Sequence, residues 1–114
     1  MNTISTHVLD TTRGTPADGV AVRLDRQEGA DQWREIGSGR TSSDGRCSQL
    51  VPSGQCLSQG TYRLVFDTAS YHANQGMQSF YPIVHVVFVV REGDTRLHIP
   101  LLLNPYGYTT YRGS

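Results

Sequence analysis

The chain has 114 residues, the size of one ordinary domain, and its ten cations, all arginine, are cancelled by ten Asp and Glu. That balance supplies no positive field for a phosphate backbone or an anionic bilayer, so neither a nucleic-acid nor a membrane partner is expected. The opening MNTISTHVLD has no basic leader or apolar run, and no later apolar run is long enough to span a bilayer. The expectation is therefore one domain over 1–114, soluble and cytoplasmic.

In chain order, turn signals separate short strand-like segments, which favours an all-β sandwich over alternating β and α units. Thr3 to Asp10 is rich in β-branched residues and ends at a loop punctuated by Pro16 and Asp18-Gly19. Val20, Val22 and Leu24 then alternate with Ala21, Arg23 and Asp25, the period of a strand with one wet face. Trp33 to Arg40 reads as a third strand, after which Asp44-Gly45 predicts a hairpin turn with Arg46 opening the next strand. PSGQCLSQG is a loop by composition, and Tyr62, Leu64 and Phe66 mark another strand.

Asp67 offers an N-cap for a short helix through Tyr71, closed by Gly76 and carrying a solvated His72. Ile83 to Val90, IVHVVFVV, is apolar on both faces, so a central strand with a partner chain over one side is expected. Thr95 to Leu103 alternates as well, with Leu97, Ile99, Leu101 and Leu103 on one face and His98, Pro100 and Leu102 on the other. Pro100 lacks an N–H and suggests an edge or bulged position. Tyr106 to Arg112 is a last, aromatic-rich strand.

Few side chains offer chemistry. His7 lies mid-strand on a face with Ser5 and Leu9, and His98 shares its face with Pro100. His85 reads as a core or interface residue. No HxH, HExxH or Cys/His cluster is present, so no metal and no cofactor is expected. Cys47 and Cys56 lie outside CxxC spacing and read as small hydrophobes in a reducing compartment, whereas a processed export product would allow a disulfide between them. Without a GxSxG elbow, hydrolysis would use an activated water, with histidine as base and arginine stabilising developing charge. Arg46, just past a tight turn, suits the second task. Spacing alone does not bring these residues together.

THVLDTTRGTPADGV at Thr6 to Val20, SDGR at Ser43 to Arg46 and HIPLLLNPYGYTTYRGS at His98 to Ser114 together closely resemble the 5-hydroxyisourate hydrolases. These are the enzyme branch of the transthyretin-like family, and the final YRGS is the most specific part of the match. Two small departures, Ser43 where the family more often has Asn and Asn104 for a frequent Ser, touch no chemical position.

The resemblance implies a two-sheet antiparallel sandwich with one short helix, assembled as a homotetramer with sites in clefts between dimers. It implies hydrolytic opening of a ring amide in 5-hydroxyisourate, with His7, Arg46, His98 and Ser114 catalytic and His7, Arg46 and Tyr111 holding substrate. An extension past Ser114 would intrude on such a pocket. The rival expectations are a transthyretin-like carrier that binds a small ligand unchanged, and an interaction domain with no small-molecule site.

Overall fold

The first strand, β1 (Thr3–Asp10), buries Ile4, Thr6, Val8 and Asp10 and turns Ser5, His7 and Leu9 to the other face. This alternation is what a pleated ribbon with one wet side requires. The computed structural model describes residues 3–114, in which β1 is followed by β2 (Thr15–Pro16), β3 (Ala21–Gly29), β4 (Gln32–Arg40) and β5 (Arg46–Cys47). Next come β6 (Gly60–Phe66), the helix α1 (Thr68–Asn74), β7 (Val84–Val90), β8 (Arg96–Asn104) and β9 (Gly107–Thr110).

The strands form two sheets. One runs β2-β1-β8-β9, with β5 also on β1, and the other runs β4-β3-β6-β7. Ile4, Val8, Leu101 and Leu103 of the first meet Val22, Leu24, Leu64 and Phe66 of the second in one buried cluster. Each such side chain stabilises the fold by about 1.5–3 kcal/mol relative to leaving it exposed. The sandwich has the expected class, but β1 and β8 run parallel, from Thr3↔Arg96 to Asp10↔Leu103.

Three expectations about the strands and turns are corrected. IVHVVFVV is an edge strand: among the described residues β7 pairs only with β6, and Val87 and Val89 are exposed on its outer face beside an exposed His85. The turn at Asp44-Gly45 is no hairpin, because it carries the chain from β4 in one sheet to β5 in the other. Pro100 is interior, paired with His7 across β1. Its missing N–H still marks the ladder, since β9 pairing stops at Leu101↔Thr110 and resumes as one bridge, His98↔Gly113.

The helix forms where its cap predicts. The Asp67 carboxylate accepts from Ser70 N at 3.1 Å and from Ser70 Oγ at 2.8 Å, and Gly76 takes φ 73° just beyond the end. Tyr71 points inward and donates to Asp10 Oδ2 at 2.6 Å, fastening the helix to the end of β1. Burial and the Asp10 carboxylate push the Tyr71 phenol up to about 12. His72 is not solvated: it is 1% exposed, and among the described residues neither ring nitrogen has a partner in hydrogen-bonding geometry. A short helix laid on the sandwich presents Thr68, Tyr71 and His72 together to the core.

Candidate active site

Sheet register assembles the site. Parallel pairing sets Ser5 beside His98 and His7 beside Pro100, while antiparallel β5 sets Arg46 beside His7. Directly paired residues share a face. Since Ile4, Thr6 and Val8 fill the core side of β1, the residues Ser5, His7, Arg46 and His98 project from the outer face. Three of the expected residues, far apart in sequence, are thereby neighbours.

The turn before β5 holds two of them. Gly45 adopts φ 80°, and a Cβ there would lie 2.4 Å from Val8 O, so both backbone conformation and space demand glycine. Gly45 O accepts from Val8 N at 2.8 Å, docking the turn on β1. That docking brings Asp44 O to 2.8 Å from His7 Nε2. A carbonyl only accepts, so His7 Nε2 carries the proton and Nδ1 has the lone pair when the ring is neutral.

Asp44 also accepts from Ser42 Oγ at 2.5 Å and from Arg46 N at 3.1 Å, and these bonds hold its carboxyl below the usual range. Arg46 Nε stands 3.8 Å from Asp44 Oδ2, with 56% of its side chain exposed. An exposed pair at that distance binds weakly, which leaves the guanidinium fork available to a ligand.

His98 is half-buried, and its Nδ1 lies 2.9 Å from Ser5 Oγ. Burial, then the nearby positive charges of Arg46 and His7, lowers its pKa from 6.5 and favours a neutral ring near neutrality. The tail returns over it: Gly113 N donates to His98 O at 2.8 Å, and Arg112 Nη2 reaches Asp94 Oδ1 at 3.4 Å. A Cβ on Gly113 would stand only 2.7 Å from His98 Cδ2. The register carried from Leu101↔Thr110 to His98↔Gly113 places Tyr111 across from Pro100. Tyr111 and Ser114 are exposed.

Within one chain these residues form an open shelf. A cavity of about 570 Å³ lies elsewhere, among Thr11, Thr12, Met77, Asn104 and Tyr106. A smaller one of about 220 Å³ includes His98, Tyr111 and Arg112 beside Val86 and Phe88, without His7 or Arg46. Among the described residues no group of three His, Cys, Asp or Glu is placed to hold a metal ion. No helix there is long and apolar enough to cross a membrane, and Cys47 and Cys56 are unpaired.

Three contributors escaped attention in the sequence: Ser5 as a partner of His98, the Asp44 carbonyl on His7, and Gly113 against the His98 ring. Period two already put Ser5 on the face of His7. Its distance to His98 follows from the parallel β1–β8 register, which has no local signal.

The family model for the HIUase/transthyretin family matches residues 4–113. The chain is 48% identical over 112 residues to the 5-hydroxyisourate hydrolase of Mus musculus, covering 97% of this chain and 94% of that protein. It is 40% identical to the 5-hydroxyisourate hydrolase of Pseudomonas aeruginosa, covering 100% and 93%. Among solved structures, 5-hydroxyisourate hydrolase of Klebsiella pneumoniae matches over 100% of both chains, with a TM-score of 0.85 and 36% identity. Transthyretin from Sparus aurata matches with a TM-score of 0.88 and 34% identity, over 96% of this chain and 95% of that one. Fold, residue pattern and full-length similarity agree, and the chain belongs to the HIUase/transthyretin family.

Proposed function

We propose that this chain is a 5-hydroxyisourate hydrolase acting in urate breakdown. The observation that carries the reading is the convergence of His7, Arg46 and His98 on one outward face of a chain so similar to named hydrolases. His98, kept neutral by burial and by Arg46, takes a proton from water, and His7 orients that water. The water oxygen bonds to the carbonyl carbon of the ring amide, the C–N bond breaks, and the proton passes to the departing nitrogen. One water is consumed, the new carboxylic acid gives up the water's second proton to solvent to become a carboxylate, and the product is 2-oxo-4-hydroxy-4-carboxy-5-ureidoimidazoline.

Arg46 grips the flat, oxygen-rich ring through two parallel N–H bonds and stabilises charge on the carbonyl oxygen. Tyr111 lines the pocket and Ser114 completes its polar wall. The open shelf gains its remaining walls from other copies in a homotetramer. The unpaired edge of β7 and the exposed Ile83, Val87 and Val89 support that assembly.

The test follows loss of substrate absorbance after urate oxidase generates 5-hydroxyisourate in place, with the spontaneous rate subtracted. His98→Ala and Arg46→Ala should each lose about 100-fold or more in kcat/KM while light scattering still gives a tetramer. Full activity in both variants refutes the assignment. A wild-type chain that binds the compound without accelerating its decay is a carrier instead.

A further inference from the structure

We infer that Ser5 is a positioning residue for His98, its hydroxyl oxygen holding the ring's Nδ1–H so that Nε2 is the lone-pair nitrogen offered to the reaction. The inference rests on the hydrolase reading for what His98 does, and on geometry for how Ser5 acts. Ser5 Oγ and His98 Nδ1 are 2.9 Å apart across 93 residues of sequence. They are direct partners in the parallel β1–β8 ladder, so their approach is set by sheet register rather than by a mobile loop.

The opposite edge of the ring is occupied as well. Gly113 lies against Cδ2 so closely that a Cβ there would stand 2.7 Å away. Hydroxyl on one edge and backbone on the other bracket the imidazole. A half-turn about its ring bond would put Cδ2 against Ser5 and lose the hydrogen bond.

The bracket fixes which nitrogen meets Ser5, and the role of His98 as base then sets the tautomer, because a serine hydroxyl can either donate to Nδ1 or accept from it. With Nδ1 engaged by Ser5, the nitrogen left to accept a proton from water is Nε2, and a neutral ring can do so there only if Nδ1 carries the hydrogen. A serine hydroxyl is able to accept that hydrogen. The arrangement has the logic of a base oriented by a third group, here an uncharged one of modest strength. His7 is held by a different device, the Asp44 carbonyl, and has its lone pair on the other nitrogen. The two rings thus present opposite nitrogens on the same shelf.

Long-range 15N–1H spectra of the imidazole nitrogens, with His98→Ala supplying the assignment, test this without reference to turnover. The wild-type chain at neutral pH should show His98 with Nδ1 protonated and Nε2 bare, and Ser5→Ala should move both signals toward a tautomer mixture. In the decay assay Ser5→Ala should lose about 5- to 10-fold in kcat, the loss of one neutral hydrogen bond, with KM nearly constant. Ser5→Thr, which keeps a hydroxyl on a residue suited to strands, should recover most of that loss.

Unchanged nitrogen signals or an unchanged kcat in Ser5→Ala overturn the inference. So do equal losses in Ser5→Ala and Ser5→Thr, which would mean packing rather than the hydroxyl. A wild-type chain with no turnover refutes the hydrolase reading instead, and the nitrogen signals still decide whether Ser5 fixes the ring.

Discussion

Replacing Gly113 by alanine adds one methyl group at the closest approach of tail to site. The new carbon would stand 2.7 Å from His98 Cδ2 and 3.3 Å from Pro100 Cγ. Carbon atoms rest at about 3.5–4.0 Å, so roughly 0.8 Å must be found. The ring yields only by leaving Ser5, and the tail lifts only by stretching the 2.8 Å bond from Gly113 N to His98 O. Either movement displaces groups assigned to the site by nearly 1 Å, and misplacement on that scale costs about 100-fold in rate.

Global stability should hardly change, because the tail is exposed and Gly113 needs no positive φ. Gly107→Ala is the control: it lies at the other end of the same segment, at the start of β9, where the nearest atoms to a Cβ are 4.0 Å away on the Asn104 side chain. The decay assay should give Gly113→Ala about 100-fold below wild type and Gly107→Ala near wild type, with matching melting curves. Gly113→Ala within about threefold of wild type would refute the claim that the tail fixes the His98 ring.

Other expectations concern charge and the core. Burial holds the His72 pKa below 6.5, with Asp10 opposing it, so the unfolded chain binds more protons as pH falls below that value. The His72 contribution to stability is therefore whole above 6.5 and is lost on acidification, at up to about 1.4 kcal/mol per pH unit, until the folded ring titrates. His72→Phe should flatten urea-measured stability between about pH 7.5 and 5, and an unchanged slope would count against it. Arg46→Gln removes a positive charge beside His98 and should raise that ring's NMR titration midpoint toward 6.5; a midpoint that stays or falls contradicts the coupling. Tyr71→Phe deprives buried Asp10 of a 2.6 Å bond while the amides of Thr12 and Arg13 remain. It should cost about 1–3 kcal/mol by urea denaturation, and a loss under about 0.5 would mean that water replaces the phenol.

Patterns with a period of two were read correctly where one face was wet. The alternation of Ile4, Thr6 and Val8 with Ser5 and His7 fixed which residues face outward, and the Asp67 cap marked the helix. β7 was misplaced because valine on both faces usually means cover on both faces, whereas here the outer valines lie exposed on an edge strand. His72 was misread because a seven-residue helix gives too few turns to reveal its buried side. His7, Arg46 and His98 were candidates by residue type, the resemblance implied their shared site, and their juxtaposition came from two non-local registers, β1 with β5 and β1 with β8. No local pattern encodes a parallel pair between the first long strand and the last.

That parallel pair has a consequence for biosynthesis. β1 emerges from the ribosome early, yet the strand that covers one entire edge of it, β8, begins only at Arg96. At about 5–20 residues per second, β1 waits roughly 5–20 seconds with that edge unpaired and open to other chains. The antiparallel neighbours β3 and β4 are joined by a short connection and need no such wait. The Ser5–His98 contact is thus a late event in the life of each chain, and a translational pause before Arg96 would lengthen the aggregation-prone interval without altering the finished molecule.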